Sequence, residues 1–560
     1  MVRLLAAALL CALPARAAVQ VWVADESEKV RPSATAPAAA PAARIRLAAA
    51  GAECAAAQIV VRSPDGVRGL TASAAPLRGG EKATVPLELA RVATIELTQP
   101  SGPEGSAGEW PDALVPVRDA IWKETRRAFP VDVGPDRAQA IFVEACAPPR
   151  SPGRYAGAVQ LDWMARKGRV RTSVPVELRV RRFDLPATPE LATAFGFSGY
   201  SAAKGHGRPP RDARELTRLY DTMALRRGIT LFGGTQDAPD YAALGDSVRI
   251  DWTGYDAEVA PFLDGTALPS GARWTAVELR EPGRLTRPQR KSWRRAWVEH
   301  FRERGWLDRL FVYVQDEPRP EDFPRVEERA RELREDAPEV RRLLTTAYSD
   351  QLPSIDLWVP LLNCLDPRAP SCPRAAPRSS YGKLWWYQSC VSHGCGPLRP
   401  RDRDAFVGWP SYMIDAPATA ARAMGWLAFA NGISGELYFD VVHAYGQGDP
   451  WQSQWAFAGN GDGTLYYPGT PRRIGGEHDV PVESLRVVQI QRSLQDHAYL
   501  ALCARFGDPR LAQAEARALA PSLRGWARDP RAYAAAKERL AARIEALSAD
   551  RRAGALELRR

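Results

Sequence analysis

At 560 residues, with 45% hydrophobic and 25% charged content, the chain exceeds one ordinary domain and carries material for two or three packed cores. The formal charge of +10 does not describe a nucleic-acid surface. Only eight of the 76 basic residues are lysine, and the arginines are scattered among 66 acids, a bias that reads as codon composition.

The N-terminal stretch "MVRLLAAALLCALPARA" combines Arg3, an apolar run from Leu4 to Leu13 and the small-x-small site Ala15-Arg16-Ala17. It reads as a signal peptide over residues 1–17, cut after Ala17, and sends the mature chain to a secreted or periplasmic location. No later apolar run reaches the roughly 18 residues of a membrane span, so no membrane partner is expected.

From residue 18 to about 185, short alternating or apolar segments such as "VQVWVA", "AQIVVRS" and "AIFVEACA" lie between Gly/Pro turns. This pattern predicts an N-terminal β-sandwich. "LPATPELAT" reads as a linker. From 186 to 480, helical and strand segments alternate, as in "RPQRKSWRRAWVEHFRERG" followed by "RLFVYVQ". About eight strand candidates with helical crossovers predict a (β/α)8 barrel of the TIM type, and the chain has no glycine-rich dinucleotide fingerprint. Residues 481–560 read as a helical C-terminal segment. The predicted fold class is therefore multidomain, β followed by α/β.

Seven cysteines follow the predicted cleavage site. Cys54 and Cys146 stand in separate strand-like segments, Cys364, Cys372, Cys390 and Cys395 cluster, and Cys503 is left over. Export favours disulfides, and no C-x-x-C pair supports a zinc site, but the connectivity is not fixed by the sequence.

The stretch "LFVYVQDEPRP" runs an apolar strand into Asp316, Glu317 and Pro318. In a barrel, chemistry gathers at the C-terminal ends of strands. A proline supports a strand ending there. Other strand ends carry Tyr348, Asn363, Trp386, Tyr387 and Tyr438, and a later loop carries Trp455. Aromatic rings with a few polar groups suit sugars, and hydrolysis of a glycosidic bond needs positioned carboxylates and no cofactor. Sequence neighbours have Cα atoms about 3.8 Å apart, too close to flank a scissile bond as acid and nucleophile. They suit substrate assistance, with Glu317 as general acid and Asp316 orienting a 2-acetamido group that attacks the anomeric carbon.

The motifs "VYVQDEP", "WWYQSC", "YMID", "GISGELYFDV", "NGDGTLYYPG" and "VESLRVVQIQRSLQDHAYL" resemble glycoside hydrolase family 123 and the related domain of unknown function 4091. The resemblance implies a sandwich followed by a barrel. It also implies β-N-acetylgalactosaminidase activity by substrate-assisted retention, with the family's Asp-Glu pair at Asp316 and Glu317 and an amino-sugar glycan as partner. "ELYFDVVHAY" departs from the tryptophan-bearing form of that strand end.

Two other readings stay open: a non-catalytic glycan-binding protein on the same scaffold, and a two-carboxylate glycosidase acting on a sugar without an acetamido group. The second needs a distant acid such as Asp415, Glu436 or Asp440. Asp462 in "NGDG" reads as a turn residue rather than a cation ligand, and His393 and His443 read as loop residues.

Overall fold

The computed structural model describes residues 19–38, 42–80, 83–165, 168–233, 238–366, 372, 376–395 and 406–557. The predicted signal peptide lies outside the described residues.

Two sheets form the N-terminal part. One is antiparallel, with spatial order Gln20–Asp25, Cys54–Arg62, Ala138–Cys146, Leu87–Leu97 and Gly108–Pro116. The other runs Ile45–Gly51, Gly168–Asp184, Gly153–Ala165, Val67–Ala74 and Val131–Val133. Ile59, Val61, Ile141 and Val143 from the first sheet pack on Val159, Leu161, Val174 and Val176 from the second. Their period-2 spacing puts every apolar residue of each set on the inner face. Cys54 and Cys146 face each other across neighbouring strands and are bonded.

The second part is an eight-stranded, all-parallel sheet. Its strands are β1 (Ala192–Phe197), β2 (Leu231–Gly233), β3 (Val277–Glu278), β4 (Leu310–Gln315), β5 (Arg341–Leu344), β6 (Leu357–Trp358), β7 (Lys383–Gln388) and β8 (Gly435–Tyr438). β1 pairs with both β2 and β8, so the sheet curls into a ring that is open only between β2 and β3. Three threonines bridge that seam. Thr275 N–H donates to Thr230 Oγ1 at 2.8 Å, Thr230 N–H to Thr193 Oγ1 at 2.8 Å, and Thr193 N–H to Thr275 Oγ1 at 2.9 Å. Hydroxyls thereby satisfy amides that have no strand partner.

The alternation expected of a (β/α)8 barrel holds only in part. Helices α1 (Ala213–Arg226), α2 (Thr253–Asp264), α3 (Arg287–Glu303), α4 (Phe323–Asp336) and α5 (Ala418–Asn431) lie on crossovers. Residues 345–356, between β5 and β6, contain no helix, and Pro353 stands in that short connection. The sheet is a nearly closed parallel barrel with an irregular crossover. Inside it lie Ala194, Ala276, Phe311, Leu343, Leu357, Trp385, Tyr387 and Leu437. Gly435 is required beside them: a Cβ there would lie 2.3 Å from Trp385 Cε2.

Helix α6 (Leu485–Arg505) opens the segment read from the sequence as helical and C-terminal. It is buried on nearly all sides and packs on α5 and on the sandwich. The later helices, α7 (Pro509–Leu519) and α8 (Pro530–Glu557), pack on its outside. α6 carries two arginines into the interface between the sandwich and the barrel. Arg486 forks onto Asp112 of the sandwich at 3.0 and 2.7 Å. Arg492 reaches Glu144 at 2.6 Å and Glu26 at 2.7 Å. Arg227, just past α1, donates to the same Glu144 oxygen at 2.8 Å and forks onto Glu483 at 2.7 and 2.6 Å. Burial alone would raise the Glu144 carboxyl, but the two guanidiniums hold it down at about 2.

A buried charge left without its partner costs about 3–5 kcal/mol. Arg227→Met is expected to destabilise the protein by that amount in urea unfolding, because Glu483 loses its fork. Adding Glu483→Gln should recover part of the loss; a single variant within about 0.5 kcal/mol of wild type would show that the fork does not matter.

Candidate active site

β4 delivers the carboxylate pair. Phe311 and Tyr313 face the barrel interior, while Leu310, Val312 and Val314 face the helical layer. The pairing of β4 with β5 slips between Tyr313 and Gln315, a β-bulge that re-aims the residues beyond it. Glu317 then takes the left-handed conformation, with φ of 39°. For a non-glycine residue this costs about 1–2 kcal/mol. Bulge and turn together release Asp316 and Glu317 from strand alternation, and both carboxylates are exposed at the C-terminal mouth.

One hydroxyl organises the pair. Thr345, just past β5, accepts the Glu317 N–H at 2.8 Å and donates to Asp316 Oδ1 at 2.9 Å. Tyr313 donates to the same Asp316 oxygen at 2.6 Å. Tyr387 of β7 reaches across the interior and donates to Glu317 Oε1 at 2.5 Å. Burial, and then the Glu317 carboxylate, hold the Tyr387 phenol proton far above its usual range, so Tyr387 remains a donor. Asp316 Oδ2 and Glu317 Oε2 receive none of these bonds.

The other sequence-predicted residues separate into two groups. Tyr387 joins the pair. Tyr348 lies in the loop after β5, half-buried against Trp358 and Tyr381. Asn363 is buried after β6; its Nδ2 donates to Ser392 O at 3.2 Å, and its Oδ1 has no hydrogen-bond partner among the described residues. Trp455 is half-buried in a hairpin at residues 455–460. Trp386 and Tyr438, expected to line the substrate, do not reach the mouth. Trp386 is 0% exposed and packs into the helical layer, because it alternates with the inward-facing Trp385 and Tyr387. Tyr438 also faces outward; its hydroxyl, lying 2.7 Å from the Gly463 amide and 3.1 Å from Asp462 Oδ1, ties down the "NGDG" loop. Asp462 Oδ2 accepts the Cys390 N–H at 2.8 Å, so this acid serves the loop. The clustered cysteines are disulfide-bonded as Cys364–Cys372 and Cys390–Cys395, and Cys503 is free and buried.

Of the three distant acids, Asp415 is buried, accepting the Ser101 N–H at 2.7 Å and the Ser101 hydroxyl. Glu436 is buried on the outer face of β8, accepting from Tyr412 at 2.6 Å. Asp440 alone stands at the mouth, 16% exposed, with its Oδ1 on the Val442 amide at 2.8 Å. Sequence reasoning missed Thr345 and Tyr313. The inward parity of "FVY" carries a signal for Tyr313, whereas nothing local marks Thr345.

A parallel barrel with carboxylates exposed at the C-terminal end of one strand and a cross-barrel tyrosine is the arrangement of a glycoside hydrolase. Residues 289–503 match the family model described as glycoside hydrolase 123, catalytic domain. Over those residues the chain is similar to the catalytic domain of that family. A solved structure of a family 123 glycoside hydrolase from Clostridium perfringens, whose title concerns glycolipid glycan hydrolysis, aligns with 10% identity and a TM-score of 0.62. The alignment covers 97% of this chain and 100% of that one, a likeness of fold. A putative beta-galactosidase from Bacteroides fragilis aligns at 10% identity over 70% of this chain and 53% of its own, with a TM-score of 0.22. No curated protein matches the chain.

Burial raises the Glu436 carboxyl from 4.5 to about 7. A raised carboxyl contributes fully below its unfolded value and loses that contribution as pH rises through the folded one. Glu436→Gln should therefore gain stability relative to wild type between pH 4.5 and 7, by up to about 3 kcal/mol. A pH-independent difference in unfolding free energy would overturn this assignment.

Proposed function

We propose that the protein is an exported, retaining β-N-acetylhexosaminidase, acting on β-linked N-acetylgalactosamine by substrate assistance. The observation that carries this reading is the adjacency of Asp316 and Glu317 beyond one bulged strand, each held through a single carboxylate oxygen. Glu317 protonates the leaving oxygen through its unbonded Oε2. The substrate's acetamido oxygen displaces the leaving group at the anomeric carbon, forming an oxazolinium ion. Asp316, fixed by Tyr313 and Thr345, accepts the acetamido N–H and stabilises the positive charge that develops there. Glu317, now a carboxylate, then takes a proton from the water that opens the ring. Tyr387 keeps Glu317 turned toward the scissile bond. Three disulfides support export to an oxidising compartment.

Turnover of aryl 2-acetamido-2-deoxy-β-galactosides is the direct test; failure to hydrolyse these, the gluco-configured analogues and natural amino-sugar glycans would sink the reading. Glu317→Gln should lose about 10²–10⁴-fold in kcat, less with a good aryl leaving group. Asp316→Asn should lose about 10²–10³-fold whatever the leaving group, because it acts on the acetamido side. Near wild-type turnover by either variant would reject the role assigned to it.

A two-carboxylate reading has one observation in its favour, the position of Asp440 at the mouth. Hydrolysis of unacetylated glycosides, abolished by Asp440→Asn, would replace the substrate-assisted reading with that one.

A further inference from the structure

Around the barrel ring the strands follow in order from β3 to β8, then β1 and β2. β4 and β8 are four positions apart in a ring of eight, and so lie on opposite sides of the mouth. The segment that follows β8 therefore lies across the mouth from Asp316 and Glu317 of β4. That segment carries aromatic side chains with no role in the chemistry. Phe439, directly after β8, meets Phe457 edge-on at 5.3 Å, and the His443 ring stacks on Phe457 at 4.8 Å and 29°. Phe457 is 50% exposed, one of the few large hydrophobic side chains so placed among the described residues. Burial lowers the His443 imidazole below its usual value, leaving it neutral at pH 7, and its Nδ1 lies 3.9 Å from Asp440 Oδ2.

The backbone adds a second, independent observation. Phe457 and Ala458 join Trp455–Ala456 to Gly459–Asn460 as a two-residue hairpin turn, with φ of 46° and 62°. Turns of this kind favour Asn and Gly, and a large side chain at the first position is strained. A strained residue that also exposes a large apolar ring has two costs in the free protein. Such costs collect at ligand-binding positions.

We propose that Phe457, backed by His443 and Phe439, is a stacking platform for the apolar face of a second pyranose, the sugar on the leaving-group side of the scissile bond. Its half-exposed place at the rim suits a ring that lies outside the cleaved residue's own site. The inference rests on the glycosidase reading and deepens it: the substrate class becomes a glycoconjugate with at least two sugar rings.

The test compares an aryl 2-acetamido-2-deoxy-β-galactoside with the β-linked disaccharide of N-acetylgalactosamine on galactose. Phe457→Asn suits the turn better and removes the ring. It should keep or raise Tm while lowering the ratio of disaccharide to aryl kcat/KM by about tenfold, chiefly through KM. Phe457→Tyr should retain the ratio. Equal losses on both substrates, or no loss, would overturn the platform. If the wild type cleaves neither substrate, the functional reading fails separately. Calorimetric titration of Glu317→Gln with the disaccharide, with and without Phe457→Asn, then decides the platform: binding weakened about tenfold supports it, and unchanged or undetectable binding overturns it.

Discussion

The structure depends on arginine charges buried where the sandwich meets the barrel. Arg486 and Arg492 of α6 reach from one helix to Asp112, Glu144 and Glu26 of the N-terminal part, and Arg227 joins Glu144 to Glu483. Guanidinium forks suit this task because each satisfies carboxylate oxygens in a fixed plane, where a lysine would supply a point charge. Pairing offsets the desolvation of each ion, but only if every member is present. Such a network fixes one relative placement of sandwich and barrel more than it raises stability. The same sandwich edge also reaches the mouth-side loops, since Ser101 donates to Asp415 and its hydroxyl accepts the Asn460 N–H.

That placement matters for the mouth. Loops after β6, β7 and β8 are tied to one another by Asn363, the Cys390–Cys395 bridge, and the contacts of Asp462 with Cys390 and Tyr438. The carboxylate pair itself leans on β5 and β7 through Thr345 and Tyr387. Strand ends from half the ring are thereby held in one frame, so the dipoles at the mouth are fixed in advance of any ligand.

The sequence disclosed the carboxylate pair because an apolar run stopping at two acids and a proline has few bland explanations. It marked Tyr387 and Trp386 alike as aromatic residues at a strand end, and only Tyr387 faces inward: alternation sends strand neighbours to opposite faces, and composition does not say which face is the interior. Helix α6 was legible as a helix, but the burial of Arg486 and Arg492 was not, because their partners Asp112 and Glu144 lie more than three hundred residues away. The threonines at the open seam carry no local signal at all. Their importance comes from the missing ladder between β2 and β3, which exists only once the ring has formed.

The left-handed backbone at Glu317 also bears on how this scaffold changes over time. Random substitution at that position to glycine or asparagine would relieve strain of about 1 kcal/mol while deleting the acid. Drift toward stability thus runs against keeping an acid at this one residue. Descendants freed from selection for that carboxylate would keep the barrel and lose the acid in a single step.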